Sequence, residues 1–334
     1  MDAVRVHAHG GPEVLQVEDV ADPVAGAGEL LIEVAAAGVN FIDIYQRTGA
    51  YPMDLPYVVG SEGAGTVIAV GEAGDDVESP DQWAVGDRVA WAMVGGTGAA
   101  QVVSVPGERA IRIPQGVSFE QAAAVMLQGM TAHYLAESTF TAHEGHTALV
   151  HAAAGGVGLL LTQWLSGKGV RVIGTASTKD KAGLAMGAGA DAVVLYRDED
   201  LIDRVRELTE GVGVDVVYDG IGKDTFESGL ALLKPRGTMA LFGAASGPVP
   251  PLDPQMLNAK GSLFLTRPSL AHYVADREEL QWRAGEVLEA VASGTLGVRI
   301  GQRYALAELG QAHRDLEAGR TTGKSILTLS ETPA

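Results

Sequence analysis

The sequence predicts an α/β protein: a doubly wound parallel-sheet domain lying between two parts of a β-rich domain. Three observations predict it. The first 120 or so residues are short β-type runs cut by Gly, Pro and Asp; beyond residue 121 apolar strands alternate with helical stretches; and a glycine cluster follows the first of those strands. At 334 residues the chain exceeds one average domain, which leaves room for both.

Within 1–120 the strands are VRV, ELLIEVAAAGV, GAGTVIAVG, DRVAWAM and AAQVVSVP. The acidic segment GEAGDDVESPDQWAVGDRV carries the turn chemistry of an exposed, solvated loop. Within 121–260 the buried-type strands are TALVHAA, VRVIGTA, DAVVLY, VDVVYDG and GTMALFG, with helices near 157–167, 178–186, 199–210 and 223–233. This alternation requires a parallel sheet covered on both faces, whose ligands sit at the carboxyl ends of the strands. Within 261–334, the strand GSLFLTRPSL, an amphipathic helix around 277–293 and the β-type GKSILTLS are expected to rejoin the first domain.

Composition excludes several function classes. No cysteine is present, so disulfides, thiolate catalysis and Cys-ligated zinc are out, and a reducing cytoplasm is the expected location. Lys and Arg number 24 against 42 Asp and Glu, a net charge of −18 that repels nucleic acids and anionic lipid surfaces. No nucleic-acid partner is expected. MDAVRVHAHGGPEV offers no apolar core for a secretory signal, and the uncharged stretch from Gly145 to Gly167 is broken by His146, His151, Gln163 and glycines, so no membrane span is expected. His7, His9, His143 and His146 lack a matching carboxylate set and read as surface or turn residues rather than metal ligands.

The chemistry is concentrated in TALVHAAAGGVGLLLTQWLSGKGVRVIGTASTKDKAGLAMGAGADAVVLY, which orders strand, glycine turn, helix and second strand as a phosphate-cradling unit needs. Without side chains at Gly155 and Gly156, backbone N–H groups can approach a pyrophosphate at the positive end of the next helix, while Gly158 lets that helix pack closely. The second strand ends Gly174-Thr175-Ala176-Ser177, with no carboxylate for the ribose hydroxyls of NAD, and Lys179 and Lys181 follow. An ammonium there suits a 2′-phosphate, so NADPH is the expected cofactor. Residues 318–325, AGRTTGKS, resemble a relaxed P-loop, but a P-loop follows a strand and opens a helix, whereas SILTLS continues as strand.

The runs VHAAAGGVG, the GT segment ending at Lys181, Gly38-Val39-Asn40-Phe41-Ile42-Asp43, GGPEVL at 11–16 and TRPSL at 266–270 resemble the zinc-independent quinone oxidoreductases of the medium-chain dehydrogenase/reductase superfamily, and the similarity spans essentially the whole chain. The resemblance implies a GroES-like catalytic domain, a Rossmann-type NADPH domain with the cofactor in the cleft, and a homodimer. Zinc alcohol dehydrogenases of the superfamily place Cys where this chain has Asn40 and His before the Glu of Gly60-Ser61-Glu62, so no metal is expected.

Carried over residue by residue, the resemblance implies that Asn40 and Thr131 approach the nicotinamide ribose or ring, and that Gly155, Gly156 and Val157 line the pyrophosphate. Ser177, Lys181, Tyr196 and Arg320 resemble the group around the adenosine 2′-phosphate. Phe242 and Gly243 match the strand end beneath the nicotinamide, and Thr266 begins the segment that closes the cleft, while Ala244 replaces a residue often polar in the family. Tyr45 and Tyr51 match aromatic positions that line a quinone cleft. The implied activity is NADPH-dependent reduction of a quinone. Reduction of an enal or enone at its C=C bond, and a non-catalytic NADPH- or RNA-binding relative, are the alternatives.

Overall fold

The computed structural model describes residues 1–72 and 82–329. Positions 73–81, the acidic part of the expected loop, lie outside the described residues. The chain runs through β1 (Asp2–Val6), β2 (Gln16–Asp19), β3 (Glu29–Val39), α1 (Phe41–Arg47), β4 (Tyr57–Val58), β5 (Glu62–Val70), β6 (Arg88–Ala92), β7 (Val102–Pro106), β8 (Ile111–Arg112) and α2 (Phe119–Tyr134). It continues with β9 (Thr147–Val150), α3 (Gly156–Gly167), β10 (Arg171–Ala176), α4 (Lys179–Gly187), β11 (Ala192–Leu195), α5 (Leu201–Leu208), β12 (Val214–Asp219), α6 (Phe226–Leu232), β13 (Leu233–Leu241), α7 (Gln255–Ala259), β14 (Phe264–Thr266) and α8 (Leu270–Tyr273). Then follow α9 (Arg277–Ala292), β15 (Ile300–Ala305), α10 (Leu309–Glu317) and β16 (Lys324–Thr328).

Two compact units form, one from Met1–Met130 with Val274–Ala334, the other from Thr131–Tyr273. In the first, among the described residues, a sheet of order β15-β16-β3-β5-β6-β8, with β7 also on β3, stands beside a small sheet β2-β1-β4. Its apolar core collects alternate residues of these strands, Val4, Val6, Leu30, Ile32, Val34, Val67, Val89, Val103 and Val105 among them, with Trp91 buried at the centre. β16 pairs in parallel with β15 and antiparallel with β3, with Ser325 opposite Val39. Residues just before and just after that register point therefore meet: Gly38 approaches Lys324 and Glu62 so closely that a Cβ on it would lie 2.7 Å from Lys324 Cε.

The second unit is a parallel sheet of order β11-β10-β9-β12-β13-β14 among the described residues. Leu149, Ile173, Val194, Val214, Val217, Met239 and Leu241 fill its interior, as the apolar strand pattern requires. The chain steps outward from β9 to β11, then returns to the other side of β9 with β12, so the strand order reverses between β9 and β12. That reversal opens a crevice at the carboxyl ends of the strands. The units divide at 130/131, within α2, and at 273/274, against 120/121 and 260/261 read from the sequence; β14 lies beyond residue 260 and adds a parallel strand to β13. The apolar run GSLFLTRPSL is strand only over Phe264–Thr266 and turns into α8.

Candidate active site

At the carboxyl edge of the parallel sheet, β9 ends and the chain turns through Ala152, whose φ is +50°, into Gly155, the N-cap of α3. The Gly155 N–H donates to the Ala152 carbonyl at 2.8 Å, which tightens the turn. Among the described residues no side chain caps α3 and no acid stands in its first turn, so the helix keeps its positive end available to an anion. A Cβ on Gly158 would lie 2.3 Å from the Ala152 oxygen and one on Gly243 2.4 Å from the Gly220 oxygen, both backbone contacts that cannot yield. These glycines thus let neighbouring backbone segments pack directly on one another, and the donor set of bare N–H groups at the start of α3 fits a pyrophosphate.

Neighbouring groups are fixed by the same edge. Asp219, fully buried at the end of β12, accepts N–H bonds from Ile221 (2.7 Å) and Gly222 (3.0 Å) and the Thr225 hydroxyl. Its carbonyl takes the Phe242 N–H at 2.8 Å, which seats the Phe242 ring against Gly220. His151 is buried, with Nδ1 3.3 Å from the Thr175 hydroxyl; desolvation lowers its pKa and keeps the imidazole neutral despite Asp219. Thr266 lies opposite Ala240 in the β13–β14 register. Gly155, Gly156, Val157, Phe242, Gly243 and Thr266 therefore share one edge of one sheet.

The β10–β11 register pairs Ala176 with Leu195, which sets Ser177 and Tyr196 side by side immediately beyond the strands. Thr178 caps α4 by accepting the Lys181 N–H at 3.3 Å, so Lys181 projects from the first turn of a helix packed on both strands. Tyr196 is 49% exposed. Burial first, and the guanidinium of Arg197 second, hold the Lys181 ammonium below its ordinary pKa. Two cations crowded together in this way favour an anion between them. Arg197 was not among the residues singled out from the sequence, although it directly follows Tyr196. Arg320 belongs to the other unit, where its guanidinium is bound by Asp315 at 2.8 and 2.6 Å. Thr131, in α2, is buried.

In the first unit, Asn40 is the extended N-cap of α1, where Asp43 takes its backbone N–H, and its carboxamide also engages residues of the neighbouring strands. Its Nδ2 donates to Glu62 Oε1 at 2.6 Å, and its Oδ1 accepts from Lys324 Nζ at 2.6 Å. Lys324 also bonds Glu62 directly, Glu62 Oε2 takes the Leu127 N–H at 2.7 Å, and Gln128 Nε2 lies 3.5 Å from Asn40 Oδ1. Glu62 is 0% and Lys324 2% exposed. One turn on, Asp43 Oδ2 accepts the Asn40 N–H at 2.8 Å, while its Oδ1 has no partner among the described residues. Desolvation pushes that carboxyl up to about 7, opposed by the Asn40 N–H and by the charge of Lys324. On the same helix Tyr45 packs with Tyr51 at a ring distance of 5.1 Å and with Phe41 at 6.1 Å, forming an aromatic surface with Tyr51 40% exposed. The lysine that imitated a P-loop follows α10, opens β16 and is engaged by Glu62 and Asn40.

A parallel sheet with an open glycine turn at its strand-order reversal, joined in sequence to a split β-rich unit, defines the class of medium-chain dehydrogenases and reductases. Residues 26–137 match the alcohol dehydrogenase GroES-like domain, and residues 156–280 match the zinc-binding dehydrogenase family. The quinone oxidoreductase of Pseudomonas aeruginosa is 45% identical over 326 residues, covering 97% of this chain and 98% of that one. A mycobacterial protein solved with NADPH is 51% identical with a TM-score of 0.94, covering 98% of this chain and 100% of that chain. The Escherichia coli quinone oxidoreductase complexed with NADPH is 41% identical with a TM-score of 0.93, over 98% and 100%. The chain belongs to the quinone oxidoreductase family of that superfamily.

Proposed function

We propose that the protein is an NADPH-dependent, zinc-independent reductase of quinones, with residues 131–273 holding the dinucleotide. The observation that carries the cofactor choice is the pair Lys181 and Arg197 beside Ser177 and Tyr196, at a strand end without a carboxylate. The acceptor class is supported by the family to which the chain belongs. Among the described residues no group of three or more His, Cys, Asp or Glu side chains is arranged to hold a metal, and the Asn40 and Glu62 oxygens already face an ammonium.

When bound, the reduced nicotinamide would supply the reducing equivalents for the acceptor. The backbone N–H groups of Gly156 and Val157 and the α3 dipole bind the pyrophosphate, and Lys181, Arg197, Ser177 and Tyr196 bind the 2′-phosphate end. Asn40 and Thr131 orient the nicotinamide half, with Phe242, Gly243 and Thr266 shaping its floor. Tyr45 and Tyr51 offer an aromatic wall and hydroxyl donors to a flat acceptor. No acid is needed among them, because water protonates a reduced quinone. We read the assembly as a homodimer, as the family resemblance implies, in the reducing cytoplasm that a chain without cysteine suits; light scattering at twice the chain mass checks the dimer. Among the described residues no helix is long and apolar enough to cross a membrane.

The test is NADPH oxidation, with and without oxygen, against ortho-quinones, para-quinones and enones, followed by product analysis. Quinol formation faster than with any enone is expected. Alkene saturation as the dominant reaction, or salt-sensitive RNA binding without turnover, overturns the reading.

A further inference from the structure

The buried pair Lys324–Glu62 is assigned no role by the proposed reaction, although taking two charges out of water is costly and such a pair adds little stability over apolar packing. Its geometry shows what it does. The Asn40 carboxamide is gripped at one end by an acceptor that can only accept, the Glu62 carboxylate at 2.6 Å, and at the other by a donor that can only donate, the Lys324 ammonium at 2.6 Å. Turning the amide over would set oxygen against carboxylate and NH₂ against ammonium. Only one orientation survives. In it the oxygen is taken by Lys324, with Gln128 Nε2 at 3.5 Å, and one Nδ2 proton is taken by Glu62. The second Nδ2 proton is what the group has left to offer a ligand.

We propose that Lys324 and Glu62 are positioning residues that convert Asn40 from an ambivalent carboxamide into a fixed hydrogen-bond donor for an acceptor oxygen on the nicotinamide half of the dinucleotide. Lys324 does this from the strand beside β3, Glu62 from the strand on β3's other side, and Gly38 is a glycine because any side chain there would strike both. The inference rests on the dinucleotide reading above.

The charge-balanced double variant Glu62→Gln/Lys324→Met removes the clamp without stranding a buried charge. Calorimetric titration with NADPH and with adenosine 2′,5′-bisphosphate, which lacks the nicotinamide half, separates the two ends. The double variant is expected to bind NADPH about ten-fold more weakly and the bisphosphate within two-fold of the parent. Asn40→Ala is expected to lose the same factor, and the triple variant no more, because all three changes remove one donor. Unchanged NADPH affinity, equal losses for both ligands, or losses that multiply in the triple variant overturn the proposal. Should the double variant fail to fold, the parent itself decides: in ¹H–¹⁵N spectra one Asn40 side-chain proton is expected to move on adding NADPH while the other stays, and immobility of both refutes the assignment. A parent protein that binds the bisphosphate but gains nothing from the nicotinamide half overturns the positioning alone; one that binds neither ligand overturns the dinucleotide reading and this inference with it.

Discussion

Replacing Lys181 by alanine removes one of two cations that share the edge beyond β10 and β11. A hydrogen bond to a charged group contributes about 1.5–3 kcal/mol, and partial exposure of Lys181 puts its share near the lower end, about 1.5–2 kcal/mol. That corresponds to about a 10- to 30-fold rise in Kd for NADPH and no comparable change for NADH, which lacks the phosphate. Arg197 is more exposed, so Arg197→Ala should cost a smaller factor, about three- to ten-fold, that shrinks as salt is added. Its removal also relieves the neighbouring charge, so the Lys181 pKa should rise. Fluorescence titration of both dinucleotides at two ionic strengths measures all of this. Equal weakening of NADPH and NADH by either change, or weakening indifferent to salt for Arg197→Ala, would refute the reasoning.

Gly158→Ala places a Cβ 2.3 Å from the Ala152 carbonyl, so α3 must retreat by about 1 Å; overpacking of this kind costs about 1–3 kcal/mol and should appear as a lower melting temperature with weakened binding of both NADPH and NADH. The Asp43 carboxyl, raised to about 7 in the fold, is protonated there while its unfolded counterpart is ionised, so stability should fall as pH rises from about 4 to 7 and level off above; Asp43→Asn should flatten that slope in denaturant titrations. Tyr51→Phe should lower kcat/KM for quinones two- to five-fold and leave NADPH affinity unchanged, as steady-state kinetics with several quinones will register.

Features set by local pattern were legible in the sequence. The five strands β9 to β13 and the helices between them follow from apolar runs and their punctuation, and Gly158 sits where the turn after β9 leaves no room for a side chain. What escaped was decided by distant partners. The strand that follows Lys324 already rules out a P-loop, but the partner of the lysine, Glu62, lies 262 residues earlier and no local pattern points to it. Asn40 is expected from the family resemblance near the nicotinamide, and only the arrival of β16 beside β3 brings the Lys324 that holds its side-chain oxygen. Arg197 needed only the observation that Tyr196 and Ser177 end adjacent strands, so the residue after the tyrosine shares their edge.

The placement of β16 also governs the order in which this chain can become a protein. Residues 131–273 are contiguous, so that half can fold as soon as it leaves the ribosome. The other half must wait, with the Glu62 carboxylate unneutralised and one flank of β3 open, until a segment made more than two hundred residues later slides in beside it. Its nascent form thus presents a sticky strand edge for most of translation, and the last strand acts as the closing stitch.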